Sequence, residues 1–250
     1  METPHSLIAW RPWLAVAVLG ALLVWETARP YFKFYGAGPA TRRTRGRHGA
    51  LNLALGGLNA LLVAVIFAGA WLATTEWAAA RGFGILWWTD APAAVRWPAA
   101  LLLLDAWTYA WHRLNHRVPL LWRFHRWHHA DREMDVTTAS RFHTGEIVLS
   151  SILRVPVLAL IGCGIEELAL YEVMLFAVVQ FHHANIALPG RLDRILGAVI
   201  VTPSLHKVHH SVVRAECDSN YSSLFSWWDR IFRTRRISAD PHRIVFGVGE

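Results

Sequence analysis

The sequence predicts an all-α integral membrane protein, with about four transmembrane helices under a cytosolic helical cap. Three observations predict it. The chain of 250 residues is 54% hydrophobic and only 17% charged, with a mean hydropathy of +0.28, a balance too apolar for an ordinary soluble domain. Its apolar residues fall into separate segments of nearly bilayer length. Its fourteen histidines gather at the ends of those segments rather than within them.

The segments are measured against the ~20 residues that an α-helix needs to cross a bilayer. The first runs over 8–28; without a small-x-small cleavage pattern after it, it reads as a retained anchor. The second covers 51–74. "FGILWW" (83–88) is too short to span, and its tryptophans suit an interface. A third span covers 94–111. Segments 147–161 and 167–181, joined by "GCGIE", have lengths that suit a short helical hairpin, at the limit of what can cross, so that full spanning stays open.

Lys33, Arg42, Arg43, Arg45 and Arg47 lie between the first two spans, whereas Arg81 and Arg96 are the basic residues that follow span two. The positive-inside rule therefore places 30–48 in the cytoplasm and returns the chain there near His112. Residues 112–146 and 182–250 then share one compartment, which for a bacterial protein lies inside the plasma membrane; the endoplasmic reticulum is the alternative. The formal net charge of +7 is explained by these topogenic arginines, so nucleic acid is excluded as a partner. With only Cys163 and Cys217, neither a disulfide framework nor a cysteine-based zinc site is available. No repeat or linker divides the chain.

"FHRWHHADRE" (124–133) and "LHKVHHSVVR" (205–214) write His-x-x-His-His twice, and "HRLNH" supplies His112 and His116. On a helix, positions i, i+3 and i+4 share a face, so His112 with His116, and His206 with His209 and His210, can converge on one point. Neutral imidazole is a common ligand of zinc, copper, iron and nickel. Together with His125, His128, His129, His143, His182 and His183, the set exceeds twice the four ligands of a structural site. That is enough for two metals with open positions. The residues alone leave His128, His129 and His182 open between ligand and supporting roles, and zinc and non-haem iron open as the metal. Sparse carboxylates disfavour magnesium and calcium, and the absence of thiolate clusters disfavours iron–sulfur. His5, His48 and His242 stand alone and read as interfacial or hydrogen-bonded side chains.

Asp105 lies two turns before His112 on the same helical face, where a carboxylate can accept an imidazole N–H and fix its tautomer; snorkelling to the interface is the alternative. Asn185, Asn220 and Asp229 suit similar supporting or capping roles.

"LLLLDAWTYAWHRLNH", "LWRFHRWHHADREMDVTTASRFH", "FHHANI", "TPSLHKVHHS" and "DSNYSSLFSWWDRIFRT" resemble, in this order, the fatty acid hydroxylase superfamily, the membrane group that holds the sterol desaturases. The resemblance covers residues 95–236, leaving 1–94 as an anchor region and 237–250 as a tail. It implies a histidine-ligated di-iron centre with His112, His116, His125, His128, His129, His143, His183, His206, His209 and His210 as ligands, and His182 outside the set. Two iron ions are the implied cofactor, with zinc possible in isolated protein. Arg233 stands where the family's closing motif usually has glycine, and Ser222 where glycine is common.

The implied activity is O2-dependent hydroxylation or desaturation of a C–H bond in a lipid drawn from the bilayer, whether sterol-like, fatty acyl or ether lipid. No flavin, haem or nicotinamide motif is present, so a separate electron donor is expected, cytochrome b5-like or ferredoxin-like. Arg123, Arg126 and Arg132 could dock such a partner, with binding of lipid headgroups as their alternative role. The competing class is a zinc-binding membrane protein, a hydrolase or a metal carrier. A carrier should keep polar ligands at mid-membrane, where these spans have almost none.

Overall fold

The computed structural model describes residues 5–36 and 39–249, and among them it is all-helical, with only isolated bridges Ile200–Phe225 and Ser211–Phe246. The first apolar segment forms α1 (His5–Ala28). The next helix is longer than the sequence predicts. α2 (Pro39–Leu62), a π-helical turn (Val63–Phe67) and α3 (Ala68–Arg81) run on without interruption. At 1.5 Å per residue that exceeds ~60 Å, about twice the hydrocarbon thickness of a bilayer.

The excess length is the basic stretch before the second span, which is helical because its polar side chains find partners. Arg45 Nη2 donates to Glu26 Oε1 of α1 at 3.1 Å. His48 Nε2 sits 2.9 Å from Asp131 Oδ1, and Asn52 Nδ2 donates to Thr137 Oγ1 at 3.1 Å. Asn59 Nδ2 reaches the Phe142 carbonyl at 2.9 Å. Beyond it the helix is apolar and almost bare: Leu61, Val65 and Ile66 are exposed. Exposed apolar surface on this scale needs an apolar surrounding. Two helices, this one and α7 (Thr144–Ile161), are long and apolar enough to cross a membrane, and the chain is a membrane protein.

Gly82, with φ +58°, ends α3 in the left-handed conformation that favours glycine. α4 (Ile85–Trp88) is the single turn formed by the tryptophan-rich segment. α5 (Ala93–Arg117) covers the third span and continues to the histidines, and α6 (Pro119–His129) follows at once, with Pro119 at its first turn. α7 and α8 (Ile165–His183) make the expected hairpin. Its turn is closed by Arg96, which donates to the carbonyls of Gly162 (2.7 Å) and Leu86 (3.1 Å) and to Glu167 Oε1 (3.0 Å). A Cβ on Gly84 would lie 2.6 Å from Gly162 Cα, so only glycine permits this approach.

α1 packs on α8, α3 on α7, and α5 on α6 and α8. The main core joins Trp71, Leu104, Leu158, Leu168 and Tyr171. Four short helices complete the cap: α9 (Gly190–Leu196), α10 (Pro203–His209), α11 (Arg214–Cys217) and α12 (Trp227–Ile231). The C-terminal residues Ile244 and Phe246 are buried against Met134 and Val208. Of the solitary histidines, His48 is hydrogen-bonded, His242 stacks on Tyr31 at 4.4 Å, and the side chain of His5 lies outside those described.

Candidate metal centre

Nine of the ten histidines expected as ligands converge in two adjoining groups. His112, His116, His125, His129 and His209 form one, and His128, His183, His206 and His210 the other; within each group the candidate ligand atoms lie within 4.8 Å of one another, and all nine residues are buried. Helix periodicity divides them. On α6, His125 and His129 are one turn apart and face the first group, while His128 faces the second. On α10 the assignment is reversed: His206 and His210 join the second group and His209 the first.

His143 is not brought into either group. It caps the start of α7, its Nδ1 accepting from Gly145 N at 3.0 Å, and its ring lies 5.0 Å from that of Phe124. His182, outside the expected set, is buried and stacked on His206 at 3.9 Å, with neither ring nitrogen partnered among the described residues.

Hydrogen bonds on the outward side of the rings fix their tautomers. His112 Nδ1 is 2.8 Å from the Tyr221 carbonyl, His209 Nδ1 2.7 Å from the Ser219 carbonyl, and His183 Nδ1 2.7 Å from the Val179 carbonyl. A carbonyl only accepts, so each Nδ1 donates, and a neutral imidazole then presents a bare lone pair at Nε2. Those lone pairs face one another. His112 Nε2 lies 3.0 Å from His209 Nε2, and His183 Nε2 lies 3.1 Å from both His128 Nε2 and His206 Nε2.

The rings cannot relieve this by becoming cationic. Burial, and then the neighbouring imidazoles, push His128, His129, His206 and His210 well below the ordinary histidine value, and burial pushes His209 down to about 3. His116 Nε2 and His129 Nε2 are buried without a partner. Converging lone pairs around orphaned nitrogens fit bound cations, since nitrogens 3.0–3.2 Å apart match two ligands at the ~2.1 Å of a metal–imidazole bond. The last histidine of each word also brings the groups together: the His129 and His210 rings, one from each group, are 4.3 Å apart.

Several supporting groups escape a sequence reading. Glu146 Oε1 accepts from His125 Nδ1 (2.9 Å) and Asn115 Nδ2 (3.2 Å); the signal was an acid shortly after "RFH". Cys217 Sγ lies 3.9 and 3.8 Å from Nδ1 of His116 and His129. Burial, then the Asp218 carboxylate, push its thiol up to about 12, so it stays protonated on the outer side of the rings. Lys207, fully buried between the histidines, donates from Nζ to the Ala184 carbonyl at 2.7 Å and ties α10 to the end of α8.

The expected supporting residues are placed differently. Asp105 accepts no imidazole N–H. It binds Trp228 Nε1 (2.8 Å), Phe225 N (3.0 Å) and Tyr171 Oη (3.2 Å), because the Tyr221 carbonyl already occupies the outward nitrogen of His112. Asp229 accepts from the backbone of Tyr221 (2.8 Å) and Ser222 (3.0 Å) and so holds the loop that carries that carbonyl. Asn220, at φ +50°, clamps Leu205 and Arg236. Asn185 pairs with the backbone of Phe32 through both side-chain atoms. All four position backbone rather than touch a ligand ring.

Fold and site together define a helical membrane protein with two adjoining groups of buried histidines that could hold metal ions. The fatty acid hydroxylase family matches residues 97–234, and the chain belongs to that family. It is 32% identical to human alkylglycerol monooxygenase over 69% of this chain and 36% of that one. It is 31% identical to ornithine lipid hydroxylase OlsE of Rhizobium tropici over 64% of this chain and 48% of the other. Human cholesterol 25-hydroxylase is 27% identical over 57% of this chain and 52% of its own. The chain thus spans about a third to a half of these relatives' length. No solved structure matches.

Proposed function

We propose that the chain is a multi-pass membrane enzyme that hydroxylates a C–H bond of a lipid with O2, using two iron ions held by the nine converging histidines, with its centre on the cytoplasmic side. The observation that carries the reading is the convergence of buried imidazole lone pairs in two adjoining groups. The similarity to enzymes named for hydroxylation or monooxygenation of alkylglycerol, ornithine lipid and cholesterol supports lipid as substrate and hydroxylation over desaturation.

The metals supply O2 activation when bound. The residues of the chain do the rest. His112, His116, His125, His129 and His209 would hold one ion and His128, His183, His206 and His210 the other. Carbonyls of Tyr221, Ser219 and Val179 keep their rings as neutral donors of a lone pair, and Glu146 orients the ring of His125 by accepting from its Nδ1. Burial of all nine rings keeps bulk water away from the centre. The membrane helices bring the centre to the bilayer, where the substrate resides.

Insertion of one oxygen atom from O2 into C–H, with release of water, consumes two electrons and two protons. A separate electron donor, cytochrome b5-like or ferredoxin-like, supplies the electrons. The test is anaerobic purification, reconstitution with a chemical reductant and lipid extract, and exposure to 18O2. One labelled oxygen in a lipid product is expected; zinc-loaded protein without reductant-dependent O2 uptake would favour a zinc protein and sink the oxygenase.

A further inference from the structure

A second polar site lies behind the centre. A cleft of about 260 Å3 is lined by five arginines, Arg113, Arg117, Arg233, Arg235 and Arg236, and by a single carboxylate, Asp218. Asp218 is committed elsewhere, accepting from Arg214 Nε at 2.8 Å. Among the described residues none of the five guanidinium groups is in an ion pair. Arg235 Nε is buried without a partner, and burial, then the nearby Arg230, lower the ordinary value of Arg235 against the opposing pull of Asp229 and Asp193. Five guanidinium groups against one lining carboxylate leave a net positive charge around this small cavity, which favours a bound anion.

We propose that this cleft binds the phosphate of an anionic lipid headgroup, one whose charge is not offset by a cationic group such as choline. The guanidinium fork pairs with phosphate oxygens two at a time, and several forks around one cavity can share the oxygens of a single phosphate. The cavity has headgroup size; the flat face of a folded protein would reach only its rim. Phe232 lines the cleft, and Ile231 and Ile237, the chain neighbours of its lining residues Phe232 and Arg236, are 62% and 70% exposed. Cations next to exposed apolar side chains are the arrangement that seats a surface on anionic lipid.

The position gives the site a consequence. Arg113 and Arg117 each follow a metal-facing histidine on α5, and Ser219, another lining residue, gives its carbonyl to His209. A phosphate bound here fixes the loop that orients His209.

The experiment uses the full chain in dodecyl maltoside, titrated with dihexanoyl phosphatidic acid, dihexanoyl phosphatidylcholine or inorganic phosphate, with the thermal midpoint as readout. Phosphatidic acid is expected to raise the midpoint saturably. The double variant R233Q/R236Q, which alters two exposed side chains, should weaken the apparent affinity at least tenfold, and R235K should weaken it less than R235Q. Inorganic phosphate competing at similar concentration would assign the affinity to phosphate alone; competition only at far higher concentration would assign the rest to the lipid. An equal response to phosphatidylcholine, or an unchanged affinity in R233Q/R236Q and R235Q alike, overturns the proposal. So does association with an acidic protein, abolished by these variants, without any phosphate response. None of these readouts depends on turnover.

Discussion

His128 and His129 are neighbours in the chain, yet they belong to different metal groups: His128 Nε2 lies 3.1 Å from His183 Nε2, while His129 shares its group with His112, His116, His125 and His209. The 100° step between successive helical residues produces the split. It also explains why His-x-x-His-His occurs twice. Each word sends a pair one turn apart to one group and the residue between them to the other, and the two words do so in opposite sense.

Substituting each neighbour should therefore remove a different ion. His128→Ala and His129→Ala are each expected to lower the metal content from about two to about one per chain and to abolish turnover, with the protein still inserted. His143→Ala should retain both ions and lose only about 1 kcal/mol with its helix cap. Metal analysis of the three variants checks this.

Glu146→Gln keeps the shape of the group that orients His125 but removes its charge. Metal affinity is expected to fall ~10–100-fold rather than vanish, as measured by competition with a chelator of known strength.

The His48–Asp131 pair ties α2 to the cap and should show in the pH dependence of stability. Burial pulls His48 down, but the Asp131 and Asp135 carboxylates outweigh it and raise it from 6.5 to about 10. A group raised in the folded state gives its full stabilisation below 6.5 and loses it as pH rises through about 10. Asp131 is opposed by burial but lowered by His48 and Thr138, so its contribution is present above 3.8 and fades as pH falls through its lower folded value. Thermal midpoints between pH 7 and pH 10.5 should fall more steeply for the wild type than for His48→Ala. At pH 7 that variant should be less stable by ~3 kcal/mol or more.

Arg233 adopts φ +56°, the region that favours glycine, in a closing motif where glycine is usual. Arg233→Gly should leave the fold intact and stabilise it by up to ~1 kcal/mol, read as a rise in thermal midpoint in the absence of added phosphate or lipid.

Most helices were legible because apolar runs and their breaks are local signals; α1, α5, α7 and α8 sit where such runs lie. The N-terminal half of α2 was not, since "RRTRGRH" carries no apolar periodicity and becomes helical only through Glu26, Asp131 and Thr137, distant in sequence. The histidine groups were legible because ligand spacing follows helical spacing. Their orientation was not, because the partners of His112, His209 and His183 are backbone carbonyls, which every residue possesses. Asp105 misled for the same reason: its place on the helical face was readable, but the Tyr221 carbonyl that occupies His112 was not.

The central claim is a two-iron centre built by nine buried histidines. Its most direct measurement is the metal content of the full chain purified anaerobically from iron-supplemented cells, by elemental analysis alongside Mössbauer spectroscopy. About two irons per chain, magnetically coupled after oxidation, are predicted. One metal or none per chain, or two zincs that iron cannot replace, would contradict the account.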